Sequence, residues 1–364
     1  MKRNSLLLCF IFLGLTVSLL YGKYEIFGYF ENRLYILENP EKIDIGDYNR
    51  LRLKQTFSPS KKVSVNVAVD FYTFHGVLKS PLGTTGGSDA DETDREKIKI
   101  DLDRAYVDLH FKKFDMSIGK QRVALGVSYL WAPLDIFNRI NLLEPKEEKP
   151  GANAFKLYIP LGPASALTGV FSPGSDTGSS SSAFRAQTQV FRVDSAITFI
   201  RSGSNDLSVY GLDLRGENLI GWWIEGGYLQ SHNNSDIKLV VGCDYTFSLG
   251  NGLYLLNEFY YDSTGAKNPI DYNYEMLLSG KRFTLGRTYL FSLLNYSISQ
   301  YWGAAFSYIG NLGDGSFILN PMIKYDISQD IQVYSGAYLP LGNHGGEFRH
   351  RNQKIFYIWL KVNF

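Results

Sequence analysis

The sequence contains few cysteines and, after its first 22 residues, no long apolar run. Its two cysteines are Cys9 and Cys243, and Cys9 lies in a segment that we expect to be cleaved off. A single remaining cysteine cannot form an intramolecular disulfide. A membrane-spanning helix needs about 20 consecutive apolar residues, and no segment after residue 22 supplies them. These absences exclude a disulfide-stapled domain and a bundle of transmembrane helices.

The residue patterns of enzymes and of nucleic-acid-binding proteins are also missing. None of the five histidines falls in a metal-ligand pair or a nucleophile motif. The formal net charge is +1, and loss of Lys2 and Arg3 changes it to −1, so the chain has no basic field for a nucleic acid. We therefore predict a protein that is not an enzyme, with no catalytic residue, no metal, no cofactor and no nucleic-acid partner.

The first 22 residues differ from the rest of the chain. Lys2 and Arg3 precede an apolar, uncharged run from Leu6 to Leu20, and the small residue Gly22 follows. This order is typical of a cleaved secretory signal peptide, which we place at residues 1–22. The alternative is a single N-terminal membrane helix, for which the run is short.

Residues 23–364 are rich in aromatics and alternate between apolar and polar side chains. The chain contains 25 Tyr and 24 Phe. In "VSVNVAVDF" (63–71) and "IFYIWLKVNF" (355–364), one face is apolar and the other carries most of the polar groups. A period of two predicts β-strands. About eighteen such segments occur, with sixteen as the alternative count, and the stretch 275–287 could hold another strand.

The connections between these segments alternate between short turns and long loops. Segments of about ten residues that alternate in this way are the signature of a transmembrane β-barrel. Hydrocarbon offers the backbone no hydrogen-bond partner, so the sheet must close and the last strand must pair with the first. We therefore predict an all-β fold, a transmembrane antiparallel up-and-down barrel spanning residues 23–364.

The polar faces of the first strands supply candidate pore-lining residues. These are Glu31, Arg33, Arg50, Arg52, Lys54, Asp70, Asp108 and His110. Facing rows of opposite charge in a pore orient polar solutes and tune ion selectivity. The alternative is that these charges pair across neighbouring strands and only stiffen the wall. The alternation changes phase near Asp103 and Arg104, which predicts a β-bulge there.

Loop 124–153, the third outer connection, is long and unusually apolar. Its apolar side chains need a place to be buried, and the inner wall of the barrel provides one. We expect this loop to fold inward and to narrow the pore; a lid at the mouth and a partner-binding surface are the alternatives. The candidate constriction residues are Trp131, Asp135, Arg139, Glu144 and Lys146.

The stretch "LDRAYVDLHFKKFDMSIGKQRVALG" (102–126) resembles known outer-membrane proteins. The residues Arg104-Ala105-Tyr106-Val107, then Gly119-Lys120-Gln121, and later the run 133–137, resemble the alginate-export-like and related porin families. The resemblance implies a passive diffusion channel with an inward third loop. The terminal Phe364 resembles the aromatic end that barrel-assembly machinery recognises.

Together these features predict a porin-like channel in the outer membrane of a Gram-negative-type bacterium, passing small hydrophilic solutes or ions. Its expected partners are outer-membrane lipid and lipopolysaccharide, the barrel-assembly machinery and the solutes; a homotrimer and a monomer are both open. One alternative function is a channel specific for a sugar, an aromatic compound or an exported polymer. The other is a non-conducting barrel that acts as a receptor, an adhesin or a structural anchor.

Overall fold

The computed structural model describes residues 22–78, 97–138, 149–176, 178–203, 206–232, 234–278, 282, 284–350 and 353–364. The strands are β1 Lys23–Glu38, β2 Ile43–Ser60, β3 Val63–Gly76, β4 Lys97–His110, β5 Asp115–Gln121, β6 Ala152–Pro160, β7 Ala166–Ser172, β8 Ser181–Val190, β9 Val193–Ser202, β10 Leu207–Glu217, β11 Gly221–Ser231, β12 Ser235–Phe247, β13 Leu253–Asp262, β14 Thr288–Ser297, β15 Trp302–Asn311, β16 Ser316–Asp326, β17 Ile331–Gly342 and β18 Lys354–Asn363. The helix α1, Tyr274–Leu278, and short 3-10 turns at Pro269–Asp271 and Glu347–Arg349 lie between strands. Among the described residues, no helix has the length and apolar character that crossing a membrane requires.

The eighteen strands form one closed antiparallel sheet. Each strand pairs with its neighbours in the chain, and β18 pairs with β1. At this seam the Gly28 N–H donates to the Phe364 carbonyl at 2.8 Å, and the Phe364 N–H donates to Gly28 at 3.0 Å. The predicted eighteen-stranded barrel is confirmed, and so is the pairing of the last strand with the first. The described part of 263–287 contains helical turns and no additional strand.

The two faces of the sheet differ as the alternation predicts. In β18, Phe356 and Ile358 are 39% and 50% exposed on the outer surface, whereas Tyr357 and Trp359 are buried in the interior. The exterior of the barrel is therefore apolar at these two positions of the strand, as hydrocarbon requires.

The ends of the barrel also differ, which sets the position of the third loop. The turns at the end where β2 meets β3 contain five residues or fewer, and we call this the short-turn end. Residues 77–96, 122–151 and 263–287 connect strands at the opposite end, the long-loop end. The first connection at that end, residues 39–42, is short, because β2 begins already at Ile43. The reason is that Ile43 and Ile45 continue the outward apolar row.

The predicted bulge in β4 is confirmed. Ala68 of β3 pairs with Arg104, while the next residue, Val69, pairs with Leu102, so Asp103 is the extra residue. The bulge turns the Asp103 side chain into the barrel, where it is 3% exposed.

Candidate functional site

The third loop, residues 122–151 between β5 and β6, enters the barrel. Its described parts are 122–138 and 149–151. Leu134 has no exposed surface, and Trp131 is 5% exposed. Leu134 lies against Gly211 of β10 and Gly227 of β11, which are partners in the sheet register. A Cβ atom at Gly211 would come within 2.4 Å of the Leu134 side chain. The two glycines therefore leave room for the loop on the inner wall.

Two buried glutamates on the far wall hold this loop. Glu225 of β11 accepts hydrogen bonds from the backbone N–H groups of Val127, Ser128 and Leu134, at 2.8, 2.9 and 3.0 Å. Both Glu225 and Glu258 of β13 have no exposed surface. Because the N–H donors belong to the loop and the carboxylates to the barrel, these bonds fix the loop inside.

Glu258 and an aromatic cluster hold the middle of the loop. The Glu258 carboxylate accepts from the N–H groups of Tyr129 and Leu130, at 2.5 and 2.7 Å, and from the indole N–H of Trp223 at 2.8 Å. Trp131 stacks on Tyr260, with their ring centroids 5.4 Å apart. Aromatic pairs at this distance add attraction to the burial of their surface.

A wall arginine and a bond within the loop hold the start of the loop. Arg185 of β8 forms a bidentate pair with Asp213 of β10, at 2.5 and 2.8 Å, and also donates to the Leu125 carbonyl at 2.6 Å. The Val123 N–H donates to the Asn138 side chain at 2.5 Å. The loop is thus tied to the wall at several points between Leu125 and Leu134.

The predicted charges of β1 to β3 face the interior and pair with one another. The Arg50 guanidinium donates to both carboxylate oxygens of Asp70, at 3.0 and 3.1 Å, and lies 3.5 Å from Glu31. Arg52 contacts Asp70 at 2.9 Å and Asp103 at 2.5 Å. These five side chains are at most 4% exposed. They form a cross-strand network, which we call the charged wall, with little surface for a passing solute.

The remaining predicted pore-lining residues lie around this network. The Arg33 guanidinium is 3.8 Å from the ring of Trp359 and 3.3 Å from Glu31. Lys54 is half-buried near Tyr29, with its Nζ 6.0 Å from the ring centroid.

Asp108 and His110 lie nearer the short-turn end. Asp108 accepts from Ser117 at 2.5 Å and from Asn66 at 3.1 Å. His110 is exposed, and its Nδ1 is 2.8 Å from the Asp115 carboxylate. These two side chains are more open to water than the charged wall.

The structure describes only part of the predicted constriction set. Asp135 contacts the ammonium group of Lys149, and burial raises the pKa of the Asp135 carboxyl. Arg139, Glu144 and Lys146 lie outside the described residues. The predicted C-terminal residue, Phe364, is paired at the barrel seam.

Sequence reasoning missed the residues that anchor the loop. Glu225 stands alone among apolar and aromatic neighbours in "GWWIEGGYLQ" (221–230), and Glu258 is similarly isolated in "LYLLNEFYYD" (253–262). An acidic residue at an inward position of such a strand needs a buried hydrogen-bond donor. This isolated inward acidic residue could have identified both glutamates in the sequence. It could not have identified the loop N–H groups that donate hydrogen bonds to them.

A cavity of about 760 Å³ lies at the long-loop end between the third loop and strands β10 to β13. We call it the vestibule. Trp131 and Tyr260 line its apolar side, and Asp135, Lys238 and Arg282 line its polar side. Asp135 Oδ1 is buried and has no hydrogen-bond partner among the described residues.

Comparison with known proteins identifies the fold. No protein-family model matches the sequence, and no curated relative matches it. By structure, the chain is similar to OccK9 (OpdG) of Pseudomonas aeruginosa, with 10% identity over 94% of this chain and 99% of that chain and a TM-score of 0.61. It is also similar to a BenF-like porin from Pseudomonas fluorescens Pf-5, with 8% identity, 94% and 99% coverage and a TM-score of 0.60. A third similar structure is the outer membrane protein OpdK of Pseudomonas aeruginosa, with 9% identity, 93% and 98% coverage and a TM-score of 0.58. These likenesses show that the chain has the fold of the outer-membrane porins.

Proposed function

We propose that the protein is an outer-membrane, porin-like channel for passive diffusion of small hydrophilic solutes or ions. The observation that carries this proposal is the third loop, which Glu225 and Glu258 hold inside a closed barrel. A loop fixed in this way narrows the lumen without a moving part. The porin fold of the similar structures supports the same function.

The apolar exterior supports a location in the outer membrane. Arg or Lys on the lipid face at the midplane of a bilayer costs about 2–4 kcal/mol. The outward side chains within β18 include Phe356 and Ile358, and the exposed Lys354 stands at the end of the strand, beside the long-loop end. Export by the signal peptide at 1–22 and insertion by the barrel-assembly machinery belong to the same proposal. The resemblance of residues 102–126 supports a relation to the alginate-export-like porins.

Ion selectivity in such a channel depends on the inward charges that water reaches. The charged wall has three carboxylates and two guanidinium groups, and Arg33, 3.3 Å from Glu31, balances its charge. By contrast, Lys54, Asp108, Lys156 and Arg215 are half-buried or exposed on inward-facing positions. These charges have mixed signs. We therefore expect weak selectivity between cations and anions.

Conductance of the purified protein in planar bilayers tests the channel. We expect discrete steps whose size rises in proportion to salt concentration, and a reversal potential near zero in a salt gradient. Heat-modifiable mobility in gel electrophoresis serves as the control for a folded barrel. A folded barrel that leaves the bilayer resistance unchanged would instead support the receptor, adhesin or anchor function.

The vestibule favours a second candidate, a channel that is selective for uncharged, polyhydroxylated solutes such as sugars. Its charges are balanced, because Asp135 contacts Lys149, and Lys238 lies 3.5 Å from Asp236 and 3.4 Å from Asp262. A charged solute therefore finds no net opposite charge. Hydroxyl groups could bond to the polar side chains that line the vestibule, and the aromatic rings of Trp131 and Tyr260 offer an apolar surface.

A blocking experiment tests this second candidate. We expect a trisaccharide to interrupt the current, and Asp135→Asn to weaken the block by about tenfold, because it breaks the buried contact with Lys149 and leaves that ammonium group unbalanced in the vestibule. The matched control is Asp326→Asn, since Asp326 contacts Lys324 at 3.0 Å in the same way but lies at the short-turn end. Equal effects of the two variants would refute the vestibule as a sugar site.

A further inference from the structure

The connection between β17 and β18 also lies against the inner wall at the long-loop end. We call its residues 343–350 the last loop. Phe348 packs on the buried aromatic residues around Tyr289 of β14, and the ring centroids of Phe348 and Tyr289 are 6.3 Å apart. The Phe348 N–H donates to Ser316 Oγ of β16 at 3.1 Å. The last loop therefore covers the part of the wall that β14 to β16 form.

One half-buried carboxylate, that of Glu347, connects the last loop to its surroundings. It accepts hydrogen bonds from the Leu285 N–H at 3.1 Å and from the Asn311 amide at 2.9 Å, and it contacts the Tyr289 hydroxyl. Leu285 belongs to the connection 263–287, which joins β13 to β14, whereas Asn311 ends β15. These donors are neutral, and hydrogen bonds to an ionised acceptor are about twice as strong as bonds between neutral groups. Glu347 therefore binds the last loop to several other segments through its charge.

Further contacts join the last loop to the β13–β14 connection. The ring of Tyr274 in α1 stacks on the His350 imidazole, with their centroids 4.5 Å apart. Asp314, which follows β15, accepts from the Glu347 N–H and from the Tyr272 hydroxyl, both at 2.8 Å. The last loop and the described part of the β13–β14 connection therefore form one continuous structure at the long-loop end, which we call the rim.

The rim forms one side of the vestibule. Met276 of α1 and Arg282 line the vestibule. Met276 lies two residues after Tyr274, and Arg282 lies three residues before Leu285. A chain of three residues spans about 10 Å at most, so a bond at Leu285 limits the movement of Arg282. The contacts made by the last loop therefore determine where this side of the vestibule stands.

We propose that Glu347 is a positioning residue for solute entry, because it fixes the last loop in the rim and with it the side of the vestibule that Met276 and Arg282 form. This inference rests on the proposed channel function and adds a second narrowing element to it. The third loop is held by Glu225 and Glu258, whereas the rim is held by Glu347. Because these anchors are different residues, the rim should open while the third loop stays docked.

Cross-linking of the rim tests whether Glu347 holds the last loop in place. In a Cys243→Ser background, Tyr274→Cys with His350→Cys puts two thiols where the rings stack, and a short bis-methanethiosulfonate reagent should join them. We expect Glu347→Ala to slow this reaction about fivefold or more, because a released loop samples several positions. The matched control is Glu38→Ala, which removes an exposed carboxylate at the same end and should leave the rate unchanged. An unchanged rate in Glu347→Ala would overturn the proposal.

Single-channel recordings test whether the position of the rim affects the current. In the same double-cysteine background, Glu347→Ala should raise the conductance by about one quarter or more, because the mouth of the channel is wider. Joining the two thiols should restore the original conductance, and dithiothreitol should remove this rescue. A cross-link would not reverse damage to the fold, and heat-modifiable mobility shows whether each variant is folded. Glu347→Gln keeps an acceptor oxygen for the Leu285 N–H and should give a smaller increase.

The outcomes separate this inference from the channel function itself. A slower cross-link together with an unchanged conductance would refute a role of Glu347 in solute entry and leave the channel function standing. Failure of the cross-link to restore the conductance would refute the positioning role. An unaltered, folded chain that passes no current would contradict the channel function, and this inference with it.

Discussion

Replacing Glu225 and Glu258 together with alanine is expected to raise the single-channel conductance by about twofold or more and to make the current noisy. The two carboxylates accept hydrogen bonds from five backbone N–H groups of the third loop. A hydrogen bond to a charged group contributes about 1.5–3 kcal/mol, so the double variant loses several kcal/mol of the energy that docks the loop. A released loop samples several positions and leaves a wider lumen.

Two controls separate this effect from a general loss of structure. Glu38→Ala removes a glutamate that is 44% exposed at the long-loop end, where it lies 3.2 Å from Lys354, and should leave the conductance unchanged. Glutamine at positions 225 and 258 keeps an acceptor oxygen at each site and should give an intermediate conductance. An alanine double variant that folds and conducts with the same step size and noise would show that these glutamates do not hold the constriction.

The charged wall is expected to make Arg52→Ala strongly destabilising. Arg52 is 1% exposed, and its removal leaves Asp103 without its closest cation and Asp70 with Arg50 alone. Breaking a buried ion pair by removing one partner costs about 3–5 kcal/mol, because the charge that remains is buried and poorly compensated. Urea unfolding in lipid vesicles, followed by tryptophan fluorescence, measures the free energy of unfolding.

An exposed ion pair provides the comparison for Arg52. The Lys23 and Glu25 side chains lie 2.6 Å apart and are 75% and 47% exposed, so Lys23→Ala should change the free energy of unfolding by about 1 kcal/mol or less. Arg52→Lys keeps the charge but loses the forked geometry, and should fall between the two alanine variants. Equal stabilities of Arg52→Ala and Lys23→Ala would mean that the charged wall adds no more than a surface pair.

Much of the architecture was predictable because a barrel in lipid has a local signature. Alternation within each strand depends only on neighbours in the chain, and it gave the strand count and the seam between β1 and β18. The phase change at Asp103 located the bulge for the same reason. The apolar composition of the third loop also predicted that the loop folds into the barrel, because side chains such as Leu134 and Trp131 need to be buried.

The details of the site depended on contacts that the alternation does not encode. The alternation predicted that Arg50 and Arg52 lie on the interior face. It did not predict that they are buried, because their burial follows from pairing with Asp70 and with Asp103 at the bulge. The anchors of the loop were missed because Val127 and Glu225 are 98 residues apart in the chain. The neighbours of a residue in the chain show whether its side chain points inward. They do not show which residue across the lumen it contacts.

The glutamates that hold the third loop lie far from it in the chain, and this separation affects the order of folding. Tyr129 bonds to a glutamate 129 residues later, on β13, so its amide acquires this acceptor only after that strand has joined the sheet. Contacts between distant segments form slowly, because the entropy of closing the intervening chain must be overcome first. Docking of the loop therefore comes after assembly of β11 and β13. In pulsed hydrogen exchange, the amides of Val127 and Tyr129 should become protected later than those of the β4–β5 hairpin, whose pairing is local.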